Sequence, residues 1–272
     1  LQAIDAVTGD LKWEYRREIP DDAADVLGGA GLVSVNRNVA IYGNVIIDTG
    51  NDGYVYAVDA VTGKVAWETE IFDYDVAPVR HTSGPIIANG KVISGRSCRP
   101  RAGPVSCVIL AHDATTGDEL WRTSLVPAPG EPGDETWGGV PYEERMHVGS
   151  WMVPSYDPEL NLVYWGTGNP GPDWDPEYRP GDNLYTDSLL AMDPDTGDIK
   201  WYFQYTPNDP YDYDEIAEHP FGAPTFTGRQ WPLADTRLLA PILASKVVCM
   251  GKNYAAHIEE MGGGTFEDPI IF

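Results

Sequence analysis

The residues best equipped for chemistry fall in a few short stretches. Asp209, Asp212, Asp214 and Glu215 form an acidic run just after Asn208, and such a run either offers oxygen donors to a hard cation or lines a solvated loop. Asn169, in Thr167-Gly168-Asn169-Pro170, is a neutral oxygen donor of the same hard kind. Trp151 brings a flat aromatic face and Arg37 a guanidinium fork suited to a carboxylate. Read alone, each has an ordinary role, the tryptophan as core and the arginine as a surface cation. Cys98, Cys107 and Cys249 show no CxxC zinc spacing. The one close pair, Cys98 and Cys107, brackets a Pro/Gly/Arg loop that is either stapled by a disulfide in an oxidising compartment or flanked by two thiols.

Something must hold these groups. The chain has 272 residues, 42% hydrophobic and 11% aromatic, ample for a packed core and incompatible with disorder over most of its length. Forty-two acidic against 18 basic residues give a formal charge of -24, which repels a polyphosphate backbone and excludes nucleic acid as a partner. No run approaches the roughly 18 apolar residues of a membrane span, and the opening Leu-Gln-Ala-Ile-Asp carries no targeting pattern. A soluble chain without a membrane span is expected, and Leu1 does not read as a natural start. The 29 glycines and 23 prolines argue for many turns between short strands.

One phrase, A-x-D-x-x-T-G-x-x-x-W, recurs four times, with its aspartates at Asp5, Asp59, Asp113 and Asp193 and its tryptophans at Trp13, Trp67, Trp121 and Trp201. The aspartates stand 54, 54 and 80 residues apart, so the third interval carries roughly 26 more residues, read as a functional insertion. Each phrase predicts strand, tight turn and strand, with the glycine at positive φ. Asn89-Gly90 between Ile86-Ile87-Ala88 and Lys91-Val92-Ile93 predicts a further hairpin, and Leu162-Val163-Tyr164-Trp165 a further strand. A four-stranded unit with one docking tryptophan per repeat points to an all-β propeller.

The phrase resembles the tryptophan-docking motif of the pyrroloquinoline quinone (PQQ)-dependent alcohol dehydrogenases, over residues 1 to about 228. Two further stretches agree in order: Tyr156-Asp157-Pro158-Glu159-Leu160-Asn161-Leu162-Val163-Tyr164-Trp165-Gly166-Thr167-Gly168-Asn169-Pro170, and Thr206-Pro207-Asn208-Asp209-Pro210-Tyr211-Asp212-Tyr213-Asp214. The resemblance implies an eight-bladed quinoprotein propeller of which about half the ring is present. It implies Trp151 as the stacking platform beneath the quinone, and Arg37, Thr82 and Ser97 as contacts to its carboxylates and carbonyls. Asn169 and Asp212 are implied as metal ligands, with Asp212 also the base that takes the substrate hydroxyl proton as hydride passes to the quinone. Asp214, read as sharing a face with Asp212 along an extended segment, would mark a lanthanide-using member where others use calcium. The implied partners are a small alcohol and a periplasmic cytochrome c acceptor, which implies a periplasmic location.

Departures from the family pattern are equally specific. Gly31-Leu32 replaces an adjacent cysteine pair, Pro100 stands where a glutamate ligand is expected, and Gly149 where a threonine is expected. Glu143, Glu144 and His147 are candidate substitutes for the lost ligand. Beyond Gly228, Leu238 to Met261 and Glu267-Asp268-Pro269-Ile270-Ile271-Phe272 resemble the opening of the fumarylacetoacetate hydrolase family, a short α/β segment over 229–272. That resemblance implies His257 and Glu260 as a water-activating pair; read alone, they sit on an amphipathic surface helix. Three functions follow: a PQQ-dependent dehydrogenase or fragment of one, a non-catalytic propeller scaffold, and a hydrolase fragment.

Overall fold

The computed structural model describes residues 1–27, 35–98 and 102–213, together with the backbone of 250–251 and 270–271. The chain divides into two units, Leu1–His219 and Pro220–Phe272.

The first unit is built from antiparallel sheets whose strands pair in chain order. A hairpin of β1 (Gln2–Ile4) and β2 (Leu11–Glu14) comes first, then a single-turn helix α1 (Ala23–Val26). Three four-stranded sheets follow: β3 (Ala40–Tyr42), β4 (Val45–Thr49), β5 (Tyr54–Asp59) and β6 (Val65–Glu70); β7 (Ile86–Ala88), β8 (Lys91–Gly95), β9 (Val108–Asp113) and β10 (Glu119–Ser124); β11 (Ser155–Asp157), β12 (Leu162–Gly166), β13 (Ser188–Met192) and β14 (Ile199–Gln204). In the second unit the described residues are a two-stranded ladder of β15 (Met250–Gly251) and β16 (Ile270–Ile271). His257 and Glu260 lie outside the described residues.

Burial explains the strand sequences. The third strand of each sheet reads as a continuous apolar run because both its faces are covered: β9 and β13 are buried almost throughout. The fourth strands, β6 and β10, alternate because only one face packs. Ile47, Val55, Val92 and Leu110 fill one core cluster, and Ile93, Ile109, Trp165 and Leu190 a second.

The repeated phrase is a seam between sheets. Within the first three turns the aspartate takes two backbone N–H groups, as Asp59 Oδ1 does from Val61 (3.1 Å) and Thr62 (2.7 Å), and Gly63 turns back at φ 70°. The tryptophan reaches forward to the next repeat. Trp13 Nε1 donates to Ala60 O at 3.0 Å and Trp121 Nε1 to Pro194 O at 2.9 Å. Trp67 Nε1 has no such partner among the described residues, but its indole closes on Gly117, where an added methyl would stand 2.5 Å away, as Trp13 closes on Gly63 and Trp121 on Gly197. Thr69 and Thr123 donate to Gly117 O and Gly197 O, each at 2.7 Å. The glycine therefore serves twice, for the turn's positive φ and for the close approach of the indole.

The long third interval is shared between two connections, 125–154 and 167–187. Fully buried Trp137 ties them together, its Nε1 donating to Leu184 O at 2.6 Å. Arg179, also fully buried, donates to Asn183, Asn208 and the carbonyls of Pro172 and Asp209.

Candidate functional site

In an antiparallel meander, the start of the first strand, the end of the second and the end of the fourth lie at the same end of the sheet. Arg37 precedes β3, Thr82 precedes β7, Ser97 follows β8, Trp151 precedes β11, Asn169 follows β12 and Asp212 follows β14. Strand direction alone therefore carries all six to one end. The aspartate-glycine turns and the Asn89-Gly90 turn occupy the other.

At the loop end these six line one cavity of about 320 Å³. Val35, Arg80, Cys98, His147, Gly149 and Asp173 complete its wall. The groups fall into two linked sets. In the first, Arg37 Nη1 donates to Thr82 O at 3.0 Å, and its guanidinium lies 4.7 Å over the Trp151 ring. Arg80 and Ser97 pair as an isolated antiparallel bridge, Ser97 N–H donating to Arg80 O at 3.0 Å. In the second set, Asp173 Oδ1 accepts from Asn169 Nδ2 at 2.9 Å and meets His147 Nδ1 at 2.7 Å. With its amide nitrogen so engaged, Asn169 keeps its side-chain oxygen as a donor toward a cation. Burial first, then the charges of Asp173 and Asp209, push the Asp212 carboxyl above its ordinary range, with His147 opposing.

The sequence reading missed Arg80 and Asp173. Arg80 stands two residues before Thr82, the spacing that brings side chains to one face of an extended segment, so its signal was present. Asp173 lies four residues past Asn169 within an irregular connection, where no period predicts direction. Of the candidate substitutes for the missing glutamate, His147 reaches the cavity, whereas Glu143 and Glu144 sit exposed in a 3-10 turn and do not line it. Asp212 has φ 59°, so the chain is not extended at that residue; Asp214, like Pro100 and Gly31-Leu32, lies outside the described residues. Cys98 and Cys107, left open by the sequence, are joined as a disulfide with Cα atoms 4.7 Å apart.

Residues 1–225 match the profile of the glucose/ethanol/alcohol dehydrogenase β-propeller domain, the PQQ family. The chain belongs to this family. Quinoprotein alcohol dehydrogenase PedH of Pseudomonas putida is 36% identical over 238 residues, 79% of this chain and 37% of that protein. The quinohemoprotein alcohol dehydrogenase of Comamonas testosteroni is 37% identical over 227 residues, 78% of this chain and 31% of its relative. Its crystal structure superposes with a TM-score of 0.69 over 78% of this chain, and a europium-containing methanol dehydrogenase, 32% identical, with 0.68 over 80%. The chain thus spans about a third of the length of the curated relatives it matches and is a partial quinoprotein propeller. Residues 212–241 also match the N-terminal region of the Rv2993c-like family. No helix among the described residues is long and apolar enough to cross a membrane.

The wall chemistry fits PQQ, a planar tricarboxylate: an indole face, two guanidinium groups and two hydroxyl side chains surround a volume of ligand size. Asn169, Asp173 and Asp212 are oxygen donors of the type a hard cation takes. Among the described residues, however, no three His, Cys, Asp or Glu side chains form a metal-binding group.

Proposed function

We propose that this chain is part of a PQQ-dependent dehydrogenase that oxidises an alcohol or related hydroxyl compound. The observation that carries the reading is the convergence of Arg37, Thr82, Ser97, Trp151, Asn169 and Asp212, from separate connections, on one cavity.

Trp151 would hold the quinone ring, Arg37 a carboxylate, and Thr82 and Ser97 its polar edge; when bound, the quinone accepts hydride from the alcohol carbon. The work of the chain is to hold the alcohol and take its proton. Asp212 accepts the hydroxyl proton at a carboxylate oxygen, and its raised basicity favours that transfer, provided the group is ionised. His147 and Asp173, hydrogen-bonded to each other beside it, fix the polar side of the cavity. Asn169 and Asp212 would hold a Ca2+ or lanthanide ion, with Asp214 as an additional ligand. A periplasmic location and a cytochrome c acceptor belong to the same reading. So does the assignment of 1–228 as propeller and 229–272 as the opening of a fumarylacetoacetate hydrolase-like segment, with His257 and Glu260 inactive by themselves. The short donor set favours a second reading, a propeller scaffold without cofactor.

Titrating the purified chain with PQQ, in parallel with calcium and with lanthanum, separates the two. A saturable, metal-dependent shift of the quinone absorbance band is expected; a folded chain that binds no PQQ with either metal would establish the scaffold.

A further inference from the structure

Arg80 is 7% exposed, and its Nε is buried with no hydrogen-bond partner among the described residues. A guanidinium is charged at every accessible pH, and leaving one of its N–H groups unmet in a protein interior is costly, more so because the group is charged. Buried Arg96 carries unmet donors too, at Nε and Nη1, but does not line the cavity. Arg80 does line the cavity that holds Arg37 and Trp151, and its main chain is fixed against Ser97 by the antiparallel bridge. The main chain of Arg80 is therefore fixed at the wall of the ligand cavity and not at a frayed surface.

We propose that Arg80 is a second carboxylate-binding residue for the quinone, acting with Arg37 as a two-guanidinium clamp. This rests on the PQQ reading above and adds to it a residue that sequence reasoning did not name. The geometry supports a division of labour. Arg37 lies over the indole face, with one Nη committed to Thr82 O; Arg80 lines the same cavity, and its Nε has no acceptor among the described residues. A planar ligand with several carboxylates requires cations at more than one edge, and the two arginines come from different connections, before β3 and before β7. A guanidinium also gives planar, bidentate recognition that a lysine cannot reproduce.

The test is equilibrium binding to the full chain, read by quenching of tryptophan fluorescence, with PQQ and its trimethyl ester as paired probes. Arg80→Gln is expected to weaken PQQ binding 10- to 100-fold and leave ester binding unchanged, because the ester has no carboxylate to lose. Arg80→Lys, which keeps charge without the fork, is expected to fall in between, and it decides the matter if circular dichroism shows Arg80→Gln unfolded. Equal PQQ affinity in wild type and variant would overturn the proposal, as would equal losses for PQQ and ester, which would assign Arg80 a purely structural role. A wild-type chain that binds neither probe would instead overturn the PQQ reading itself.

Discussion

The two ends of these sheets solve different problems with the same strands. At the turn end, the repeated reversals are locally satisfied: aspartate oxygens take orphan N–H groups, glycine supplies the positive φ, and at Gly63, Gly117 and Gly197 the preceding repeat's tryptophan closes over the turn. At the loop end, the connections carry buried arginines and asparagines, among them Arg80, Arg96, Arg145, Arg179, Asn169 and Asn183, and guanidinium nitrogens of Arg80 and Arg96 are buried without a hydrogen-bond partner among the described residues. A satisfied turn contributes stability and little else, whereas an unmet polar group beside a cavity is available to a ligand. Stability and ligand binding should therefore separate by end.

The strongest test is at the loop end. Asp212→Ala is expected to lower dye-linked alcohol oxidation by the PQQ-loaded chain by about a thousandfold or more, a loss at the upper range for a positioned base, with an unchanged melting curve. Because the wild-type group must be ionised and its pKa is raised, the rate should fall as pH drops through a value above the ordinary carboxylate range. An Asp212→Ala variant as active as wild type would remove Asp212 from the chemistry.

Next comes the seam. Gly117→Val places a branched side chain at φ 81° against Trp67, with an expected loss of about 3 kcal/mol or more in urea unfolding. PQQ affinity of the folded fraction should remain intact. A comparable loss of affinity would show that the ends are coupled.

Reducing the Cys98–Cys107 disulfide opens a loop with a sequence separation of 9 and is expected to cost about 2–3 kcal/mol. Because Cys98 also lines the cavity, this change should touch both properties, and Cys98→Ser paired with Cys107→Ser should reproduce it in both assays.

His112, the penultimate residue of β9, is fully buried, and neither ring nitrogen has a hydrogen-bond partner among the described residues. Burial drives its pKa down to about 4. Below its unfolded pKa of about 6.5, folding must hold a neutral ring against protonation. The His112 contribution is thus complete above about 6.5 and is lost as pH falls toward 4, amounting at most to about 3 kcal/mol. His112→Leu should flatten that acid limb in chemical unfolding followed from pH 7 to 4.

The smallest effect belongs to Asp195, in the β13–β14 turn, which accepts from Lys91 and Asn89 of one sheet and Asn161 of the next. Its removal should cost a few tenths to about 1 kcal/mol, and less at high salt.

What was legible in the sequence follows the range of the interaction that decides it. The repeat, the tight turns and the strand alternation were readable because each rests on a few adjacent residues: an aspartate oxygen meeting N–H groups two and three positions on, a glycine φ, a period of two. The cavity residues Arg37, Thr82, Ser97, Trp151, Asn169 and Asp212 were readable through motifs spaced as in the family, although nothing local required them to meet. Their meeting is a consequence of strand direction, which returns the open connections of every sheet to one end. The tertiary structure alone decided the rest. Arg80 looks like any arginine in Val79-Arg80-His81 until neighbouring segments bury it at the cavity wall. Asp173 joins Asn169 and His147 only because two loops of the long interval fold over one another. The disulfide depended on whether the chain would bring two Cα atoms within bonding reach. Burial, cavity formation and cross-chain pairing depend on residues distant in sequence, and no local pattern encodes them.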